Sequence, residues 1–188
     1  MRIVLASKSP RRREILASFV DEFEIITEDV DESLPSGVHP REGVEILARR
    51  KGAAVAEGLS PEALVISSDT LVELSGEALG KPASAEDAVR MLLSLSGAVH
   101  NVHTGVAVHY RGRCYSGVSS SEVEFKSMSE AEAVEYVMTG EPMDKAGSYA
   151  IQGIGRKFVK EFRGEFDSIV GLSASLTKRL MKEALSDD

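Results

Sequence analysis

One apolar run, interrupted by polar residues and a carboxylate, constrains the fold of this chain more than any other stretch. Leu64-Val65-Ile66 has the composition of a buried central strand, and Leu71-Val72 resumes the pattern. Between them, residues 67–70 read Ser-Ser-Asp-Thr, where a core strand would stay apolar. A carboxylate buried among apolar residues is costly unless it meets a cation, a metal ion or several donors. Asp69 therefore either caps a strand end or belongs to a functional site.

A turn after this strand favours the functional site. Ser75-Gly76 is typical turn chemistry and reverses the chain toward Gly80-Lys81-Pro82. Lys81 thereby returns toward the strand that carries Asp69, so the chain supplies a cation for its own carboxylate.

Composition limits the classes of protein that fit. A chain of 188 residues with 43% apolar residues is typical of one soluble globular domain, or of one domain with a small lobe. A net charge of −8 argues against a nonspecific nucleic-acid binder. The single Cys114 excludes an internal disulfide and a cysteine metal cluster. The apolar stretch after Met1 is too short for a signal peptide or a membrane span, so we expect a cytoplasmic protein.

Three arginines open the first predicted helix. Residues 3–6 are predicted as a buried strand, Ser9 as the helix N-cap and Pro10 as the first helical residue. Arg11-Arg12-Arg13 then stand at the positive end of the helix dipole, which is unfavourable unless an anion binds there. We favour a phosphate site over the alternative, a solvated basic helix start.

A second helix, predicted from Pro40 to about Glu57, carries a lysine within its apolar stripe. Lys51 lies at helical spacing with Leu47 and Val55. Its ammonium group either extends harmlessly to solvent or reaches a phosphate.

The acidic run from Glu28 to Glu32 precedes this helix. It is either a solvated loop or the source of a carboxylate for a divalent cation, because Mg²⁺ typically takes one or two carboxylates together with substrate phosphates.

Two long strands are predicted in the second half, at residues 100–110 and about 114–125, followed by a helix that begins in a capping box at Ser129. His100 and His103 would face opposite sides of the first of these strands. A metal site made of both histidines is therefore not expected, and we interpret each as structural.

The C-terminal region is predicted to contain a last hairpin and a last helix. Residues 158–162 and 166–170 are apolar enough to form two strands across the turn at residues 163–165. Ser173 is the predicted N-cap of a final amphipathic helix.

Residues 140–155 are rich in glycine and include apolar Tyr149 and Ile151, which predicts a shaped loop rather than a solvent linker. The glycine spacing does not fit a dinucleotide-binding fingerprint, so no nicotinamide cofactor is expected. Gln152 could present its amide to the edge of a ligand, or it could bind backbone groups of the loop itself.

These residues together indicate an enzyme that cleaves phosphates. Arg11, Arg12, Lys51 and Lys81 would neutralise the charge that builds on phosphate oxygens. Asp69 would either orient and deprotonate a water molecule or hold the metal ion that does so.

Several motifs follow one another in order over nearly the whole chain: Ser7-x-Ser9-Pro10-Arg11-Arg12, Glu32, Leu47-Ala48-x-x-Lys51, Ser68-Asp69-Thr70, Gly80-Lys81-Pro82, Leu95-Ser96-Gly97, Thr104-Gly105-Val106, Glu141-Pro142-x-Asp144-Lys145-Ala146-Gly147, Ile151-Gln152-Gly153 and Val170-Gly171-Leu172. In these motifs the chain resembles a known family, the Maf (septum formation inhibitor) family of nucleoside triphosphate pyrophosphatases.

The resemblance implies an α/β fold over residues 1–188, in which an elongated mixed β-sheet is flanked by helices and a cleft separates two lobes. It implies hydrolysis of a nucleoside triphosphate to the monophosphate and pyrophosphate, with a divalent cation, Mg²⁺ or Mn²⁺, as cofactor. It also implies a homodimer and no membrane or nucleic-acid partner.

The resemblance further implies roles for individual residues. Asp69 is then the proton acceptor and, with Glu32, a metal ligand, and Lys51 and Lys81 are catalytic cations. The residues implied to bind substrate are Ser7, Arg11, Arg12, Thr70 and Gln152. Among these, Arg11, Thr70 and Gln152 match positions that set base preference, and they resemble the subgroup acting on dTTP and UTP rather than the one that prefers 7-methyl-GTP.

Two positions depart from the family pattern: Ser68 stands where alanine is usual, and Ser173 where proline is usual. Neither departure removes a charged group.

Two other classes compete with the enzyme. A regulator of cell division that binds a nucleotide without turnover would not need an acid–base group beside the phosphates, whereas this chain has Asp69, Lys51 and Lys81. A nucleic-acid binder would have to accommodate a net charge of −8 and the lack of interleaved basic and aromatic residues.

Overall fold

A computed structural model describes residues 1–186, which form seven strands, six α-helices and three short 3₁₀ segments. The strands are β1 (Ile3–Leu5), β2 (Glu24–Ile25), β3 (Leu64–Leu74), β4 (Glu77–Leu79), β5 (Val99–Tyr110), β6 (Arg113–Phe125) and β7 (Val159–Arg163). The α-helices are α1 (Pro10–Ala17), α2 (Pro40–Glu57), α3 (Ala85–Leu95), α4 (Glu130–Met138), α5 (Phe166–Val170) and α6 (Ala174–Ser186). The 3₁₀ segments, Glu141–Asp144, Ala146–Ser148 and Ile154–Phe158, lie between α4 and β7.

The strands form one sheet in the order β2-β1-β3-β5-β6-β7, with β4 paired to β3. β1 runs parallel to both β2 and β3, whereas the β3–β4, β3–β5, β5–β6 and β6–β7 pairs are antiparallel. The predicted α/β fold with a mixed sheet is confirmed.

The central strand β3 changes its neighbour along one edge, and the change leaves a gap in the sheet. β1 pairs with residues 64–66 and β4 with residues 72–74, while β5 pairs along the other edge from residue 65 to residue 73. Within the described part of the chain, residues 67–71 have no strand partner on the first edge. An unpaired edge leaves backbone groups and space available to a ligand. Asp69 lies in the middle of this gap.

One face of β3 packs against α2. The hydroxyl of Ser67 donates to the carbonyl of Ala48 on that helix at 2.7 Å. On β5, Gly105 pairs with Asp69, and a Cβ atom at residue 105 would lie 2.2 Å from the carbonyl oxygen of Val44. The backbone of α2 therefore lies directly on the sheet, on the face to which Asp69 points, because side chains alternate along a strand.

The opposite face of the sheet is covered by α5 and α6. The Thr104 hydroxyl of β5 donates to the carbonyl of Ser168 in α5 at 2.8 Å. In α6, Leu176 and Leu180 are buried against the same core as Phe125 and Tyr136. The core thus continues from the sheet to α4 and fixes the position of the segment after α4.

The prediction of a last hairpin is wrong in its second half. β7 pairs with β6 as expected, but residues 166–170 form the short helix α5 instead of a strand. Gly164 turns the chain with φ +116°. Three consecutive residues, 168–170, are then buried. A helix enclosed by the core can bury three consecutive side chains, whereas a strand with one exposed face would bury only alternate ones. A run of five residues is too short for its hydrophobic periodicity to distinguish a helix from a strand.

Other local predictions are confirmed. Ser9 accepts a hydrogen bond from the Arg12 amide as the N-cap of α1, and Ser129 forms the predicted capping box of α4. Ser173 accepts from the Leu176 amide and caps α6, so the serine at this position has a structural role. None of the described helices has the length and apolar character needed to cross a bilayer.

The two histidines of β5 belong to separate networks, as expected from their spacing. His103 bonds to Glu73 Oε2 and Ser120 Oγ, each at 2.8 Å. His100 is buried on the other face, where its Nε2 lies 2.8 Å from the Tyr149 hydroxyl.

Gly105→Ala should destabilise the protein, because the new methyl group would collide with backbone atoms of α2 that cannot move alone. We expect a loss of roughly 3 kcal/mol in the free energy of unfolding, measured with urea. Gly58→Ala is the control, since a Cβ atom there would be 3.7 Å from the Val55 carbonyl oxygen, an ordinary contact. Equal stability of the two variants would contradict the close packing of α2 on β5.

Stability should also fall in mild acid because of His100. Burial lowers the pKa of His100 from 6.5 to about 4. Between these values the unfolded chain binds a proton that the folded protein does not, so stability is complete above pH 6.5 and decreases as the pH falls. The contribution of this histidine to the loss between pH 7 and pH 5 is about 2 kcal/mol. His100→Gln should flatten that part of the stability profile, whereas a change at exposed His39, to Asn, should not. An unchanged slope in His100→Gln would contradict the burial argument.

Candidate functional site

A cleft of about 920 Å³ opens at the gap in the sheet beside Asp69. Its walls come from the loop before α1, the acidic loop before α2, β3, the segment after β4, the 3₁₀ region and the end of α5. All residues predicted as catalytic, substrate-binding or metal-binding line it: Ser7, Arg11, Arg12, Glu32, Lys51, Asp69, Thr70, Lys81 and Gln152.

At the centre of the cleft, one ammonium group joins two carboxylates. Lys51 Nζ lies 2.6 Å from Asp69 Oδ1 and 2.7 Å from Glu32 Oε1. The Lys51 and Asp69 side chains are only 17% and 10% exposed, so each removes the cost of burying the other's charge. The hydrogen bond from Lys51, together with the charges of Lys81 and Arg12, holds the pKa of Glu32 below its usual value. Lys51 therefore points into the site rather than to solvent.

Arg12 connects three elements at the wall of the cleft. Its Nε donates to the Gly171 carbonyl at the end of α5 at 2.8 Å, and its terminal nitrogens lie 3.4 Å from Ser7 Oγ and Thr70 Oγ1. Burial lowers the pKa of Arg12, opposed by the negative charge of Asp69, but a guanidinium remains protonated in proteins. The Arg12 charge is thus held in place before any ligand binds.

The Gly171 carbonyl and the Ser68 hydroxyl have roles in the site that are not predicted from the sequence. Ser68 Oγ donates to Gly171 O at 3.0 Å, so this oxygen accepts from both Ser68 and Arg12. A Cβ atom at residue 171, where φ is +138°, would lie 3.5 Å from Arg12 Nε. Ser68 therefore holds in place the carbonyl that orients Arg12, which is a structural role for this serine. The sequence contains the two motifs involved, Ser-Asp-Thr and Val-Gly-Leu, but nothing in it indicates that they are in contact.

Lys81 lies at the mouth of the cleft with an exposed side chain. Within residues 1–186, no carboxylate lies within 4.0 Å of its ammonium group, although its charge contributes to lowering the pKa of Glu32. The turn at residues 75–76 does bring Lys81 back to the cleft, and its cation remains available to an anion.

Arg11, Thr70 and Gln152 also line the cleft. Thr70 Oγ1 lies 2.9 Å from Thr104 Oγ1, which fixes the threonine. Gln152 is exposed, and its side-chain amide forms no hydrogen bond with the described residues. The amide is therefore not used to tie the loop backbone.

Lys145 and Asp144 also line the cleft and were not selected from the sequence. Their side chains form an ion pair, and Lys145 Nζ additionally lies 3.4 Å from the Glu141 carbonyl oxygen. A charged pair before Ala-Gly, in a loop predicted to be shaped, was a weak signal for this position.

The donor atoms of the site fit a divalent cation that binds together with phosphates. Within residues 1–186, no three His, Cys, Asp or Glu side chains form a cluster able to hold a metal alone. Asp69 and Glu32 nevertheless direct carboxylate oxygens at one point, the Lys51 ammonium. Hard carboxylate oxygens in this number suit Mg²⁺, which commonly completes its shell with phosphate oxygens and water.

Chemically, the cleft combines an unpaired strand edge, cations of Arg12, Lys51 and Lys81, and a carboxylate in the same place. Such an arrangement can bind a chain of phosphates and accept a proton from water beside them.

Comparison with known proteins agrees with this chemistry. A dTTP/UTP pyrophosphatase of Vibrio cholerae is 46% identical over 180 residues, covering 96% of each chain. Proteins with the same name from Thermococcus kodakarensis and Pelotomaculum thermopropionicum are 46% and 48% identical, over 178 and 183 residues. They cover 95% and 96% of this chain and 94% and 95% of their own.

Solved structures with a similar fold include the Ham1 protein of Staphylococcus aureus, with a TM-score of 0.52 at 16% identity, and a HAM1 protein of Coxiella burnetii, with 0.50 at 17%. Both alignments cover 100% of each chain, and at this identity they show the fold alone. The family model described as Maf-like protein matches residues 2–184, and with relatives this similar along the whole chain, the protein belongs to the Maf-like family.

Proposed function

We propose that this protein is a nucleoside triphosphate pyrophosphatase that hydrolyses dTTP and UTP to the monophosphate and pyrophosphate. The observation that carries the proposal is the Lys51–Asp69 pair at the gap in the sheet, 2.6 Å between Nζ and Oδ1, with Arg12 and Lys81 on the same cleft. The names of the relatives support the same reaction.

Water, the substrate phosphates and the Asp69 carboxylate have separate roles in the proposed reaction. The oxygen of a water molecule attacks the α-phosphorus, and the bond from the α-phosphorus to the bridging oxygen breaks. Pyrophosphate leaves with that electron pair, and the proton of the water passes to Asp69. Lys51 holds Oδ1 of Asp69, so Oδ2 is the atom we assign as proton acceptor.

The cations of the cleft stabilise the charge that moves during this reaction. Negative charge accumulates on the leaving pyrophosphate, and preorganised cations stabilise it without rearranging in the transition state. Arg12 is preorganised by its contact with Gly171 O at 2.8 Å, whereas Lys81 is exposed and available to the outer phosphates. Lys51 keeps the two carboxylates directed at one point.

We further propose Asp69 and Glu32 as the protein ligands of a divalent cation, Mg²⁺ or Mn²⁺. Such an ion, when bound with the substrate, neutralises phosphate charge and lowers the pKa of a coordinated water. Both carboxylates bind the same Lys51 ammonium group, so they lie close enough together to share one ion, and this proximity supports these ligands.

We assign base preference to Gln152, with Arg11 and Thr70. The exposed amide of Gln152 has donors and an acceptor, and uracil or thymine presents an acceptor oxygen beside an N–H donor. Arg11 and Thr70 line the same cleft as Gln152.

Asp69→Asn should abolish pyrophosphate release from dTTP and UTP, because an amide does not accept the proton of the attacking water. We expect kcat to fall by about 10²–10⁴-fold, assayed with Mg²⁺ or Mn²⁺ and with pyrophosphate and phosphate measured separately. Asp29→Asn is the matched control, since Asp29 lines the cleft but pairs only with Lys8 at 3.8 Å on the surface.

Three results would contradict the proposed function. Inorganic phosphate as the first product would exclude attack at the α-phosphorus. Faster turnover of 7-methyl-GTP would exclude the pyrimidine preference. Tight nucleotide binding without turnover in the unchanged protein would instead favour a regulator.

Gln152→Ala should reduce discrimination between UTP and CTP more than it reduces kcat for UTP, because the amide contacts the base and not the reacting phosphate. One lost hydrogen bond predicts about a tenfold fall in the ratio of the two kcat/KM values. Arg156→Ala is the control, since this exposed side chain of the same region lies outside the cleft. A fall in kcat with an unchanged UTP-to-CTP ratio would exclude Gln152 from base recognition.

A further inference from the structure

The segment that carries Gln152 is a tight turn between Ala150 and Gly155. Ile151 is buried in the core, and the next side chain, Gln152, is exposed in the cleft. The Gly153 amide donates to the Ala150 carbonyl at 3.2 Å. The position of the Gln152 amide therefore depends on how firmly this turn is attached to the rest of the protein.

One carboxylate outside the cleft attaches both sides of the turn. Glu141 Oε1 accepts from the Ile154 amide and Oε2 from the Gly155 amide, each at 2.9 Å. The Tyr136 hydroxyl donates to Glu141 Oε2 at 2.5 Å and accepts from the Ala150 amide at 3.1 Å. Glu141 thus holds the end of the turn directly and its beginning through Tyr136.

Two glycines leave the space that these contacts require. A Cβ atom at Gly153 would lie 1.9 Å from Glu141 Oε1, and one at Gly155 would lie 2.5 Å from the Tyr136 hydroxyl oxygen. Any side chain at either position would push the turn away from the carboxylate. The close approach consequently depends on two glycines of the turn that do not line the cleft themselves.

The charges of the pair suit this role. Burial alone would raise the pKa of Glu141, but the hydrogen bonds from Tyr136, Gly155 and Ile154 outweigh it and lower the pKa. Burial and the bond to Glu141 raise the pKa of Tyr136, so the phenol keeps the proton that it donates. Hydrogen bonds to an ionised acceptor are stronger than those between neutral groups.

We propose that Glu141 is a positioning residue that sets base discrimination by holding the turn of Gln152 in the cleft. The inference rests on the proposed function for its substrate. Glu141 does not line the cleft, so it acts through Gln152. Discrimination depends on this attachment because the turn sets the position of the Gln152 backbone, and a displaced backbone moves the amide out of reach of the base edge.

Glu141→Gln tests the proposal, since it keeps the side-chain shape but replaces one acceptor oxygen with an NH₂ group that opposes the bound donors. Tyr136→Phe is a second variant, which removes only the hydroxyl that joins Glu141 to Ala150. Glu135→Gln, an exposed glutamate of α4, is the matched control.

The first measurement is hydrogen exchange of the Ile154 and Gly155 amides, which reports the attachment without any substrate. Exchange should accelerate by about tenfold or more in Glu141→Gln and remain unchanged in Glu135→Gln. The second measurement is discrimination, as the UTP-to-CTP ratio of kcat/KM and as the UMP-to-CMP ratio of dissociation constants from calorimetry. In Glu141→Gln the UTP-to-CTP ratio of kcat/KM should fall about tenfold, and the UMP-to-CMP ratio of dissociation constants, which is small when UMP is preferred, should rise about tenfold. Each ratio should change in the same direction in Tyr136→Phe, while pyrophosphate remains the product.

A double variant separates positioning from general loss of structure. If Glu141 acts through Gln152, then Glu141→Gln combined with Gln152→Ala should discriminate no worse than Gln152→Ala alone. Additive losses, or accelerated exchange with unchanged base ratios, would overturn the proposal. If the unchanged protein turns over no nucleotide, the proposed function fails, and the UMP-to-CMP ratio of dissociation constants then tests the positioning role. A preference for UMP that is lost in Glu141→Gln supports the role. The lack of any preference in the unchanged protein overturns it.

Discussion

The ion pair between Lys51 and Asp69 is the interaction on which the rest of the architecture depends. Asp69 stands in the middle of the central strand, where its side chain is 10% exposed, and an unpaired carboxylate there would cost several kcal/mol. Its partner comes from α2, so this helix must lie close to the sheet. Gly105 makes that possible, since it lets the backbone of α2 approach at the strand position opposite Asp69.

The gap in the sheet makes this ion pair accessible to a ligand. A strand paired on both edges would enclose Asp69, whereas β3 loses β1 after residue 66 and meets β4 only from residue 72. Loops from both sides of the gap enter it, and each carries a charged side chain that can attract an anion or a cation. Arg12 is the most firmly held of them, because Gly171 O and, through it, Ser68 fix its guanidinium. Stability and function therefore share the same contacts in this region.

Two parts of the cleft lining are built differently. Around Asp69, charged groups meet each other across elements that pack on the sheet. The exposed Gln152 lies on a turn of its own, which Glu141 and Tyr136 attach to the core around α4. In the described part of the chain, the contacts that hold this turn include none of the side chains that hold Lys51, Asp69 and Arg12.

The sequence by itself determined the succession of strands and helices, the strand of Asp69, the helix of Lys51 and the capped start of α1, because hydrophobic periodicity and capping depend on a few neighbouring residues. Tertiary structure decided what those patterns do not contain. Residues 166–170 became a helix because the core encloses three consecutive side chains there. The roles of Gly171 O and Glu141 depend on partners far away in the chain, and such contacts leave no local signature since they exist only once the backbone has brought both partners together.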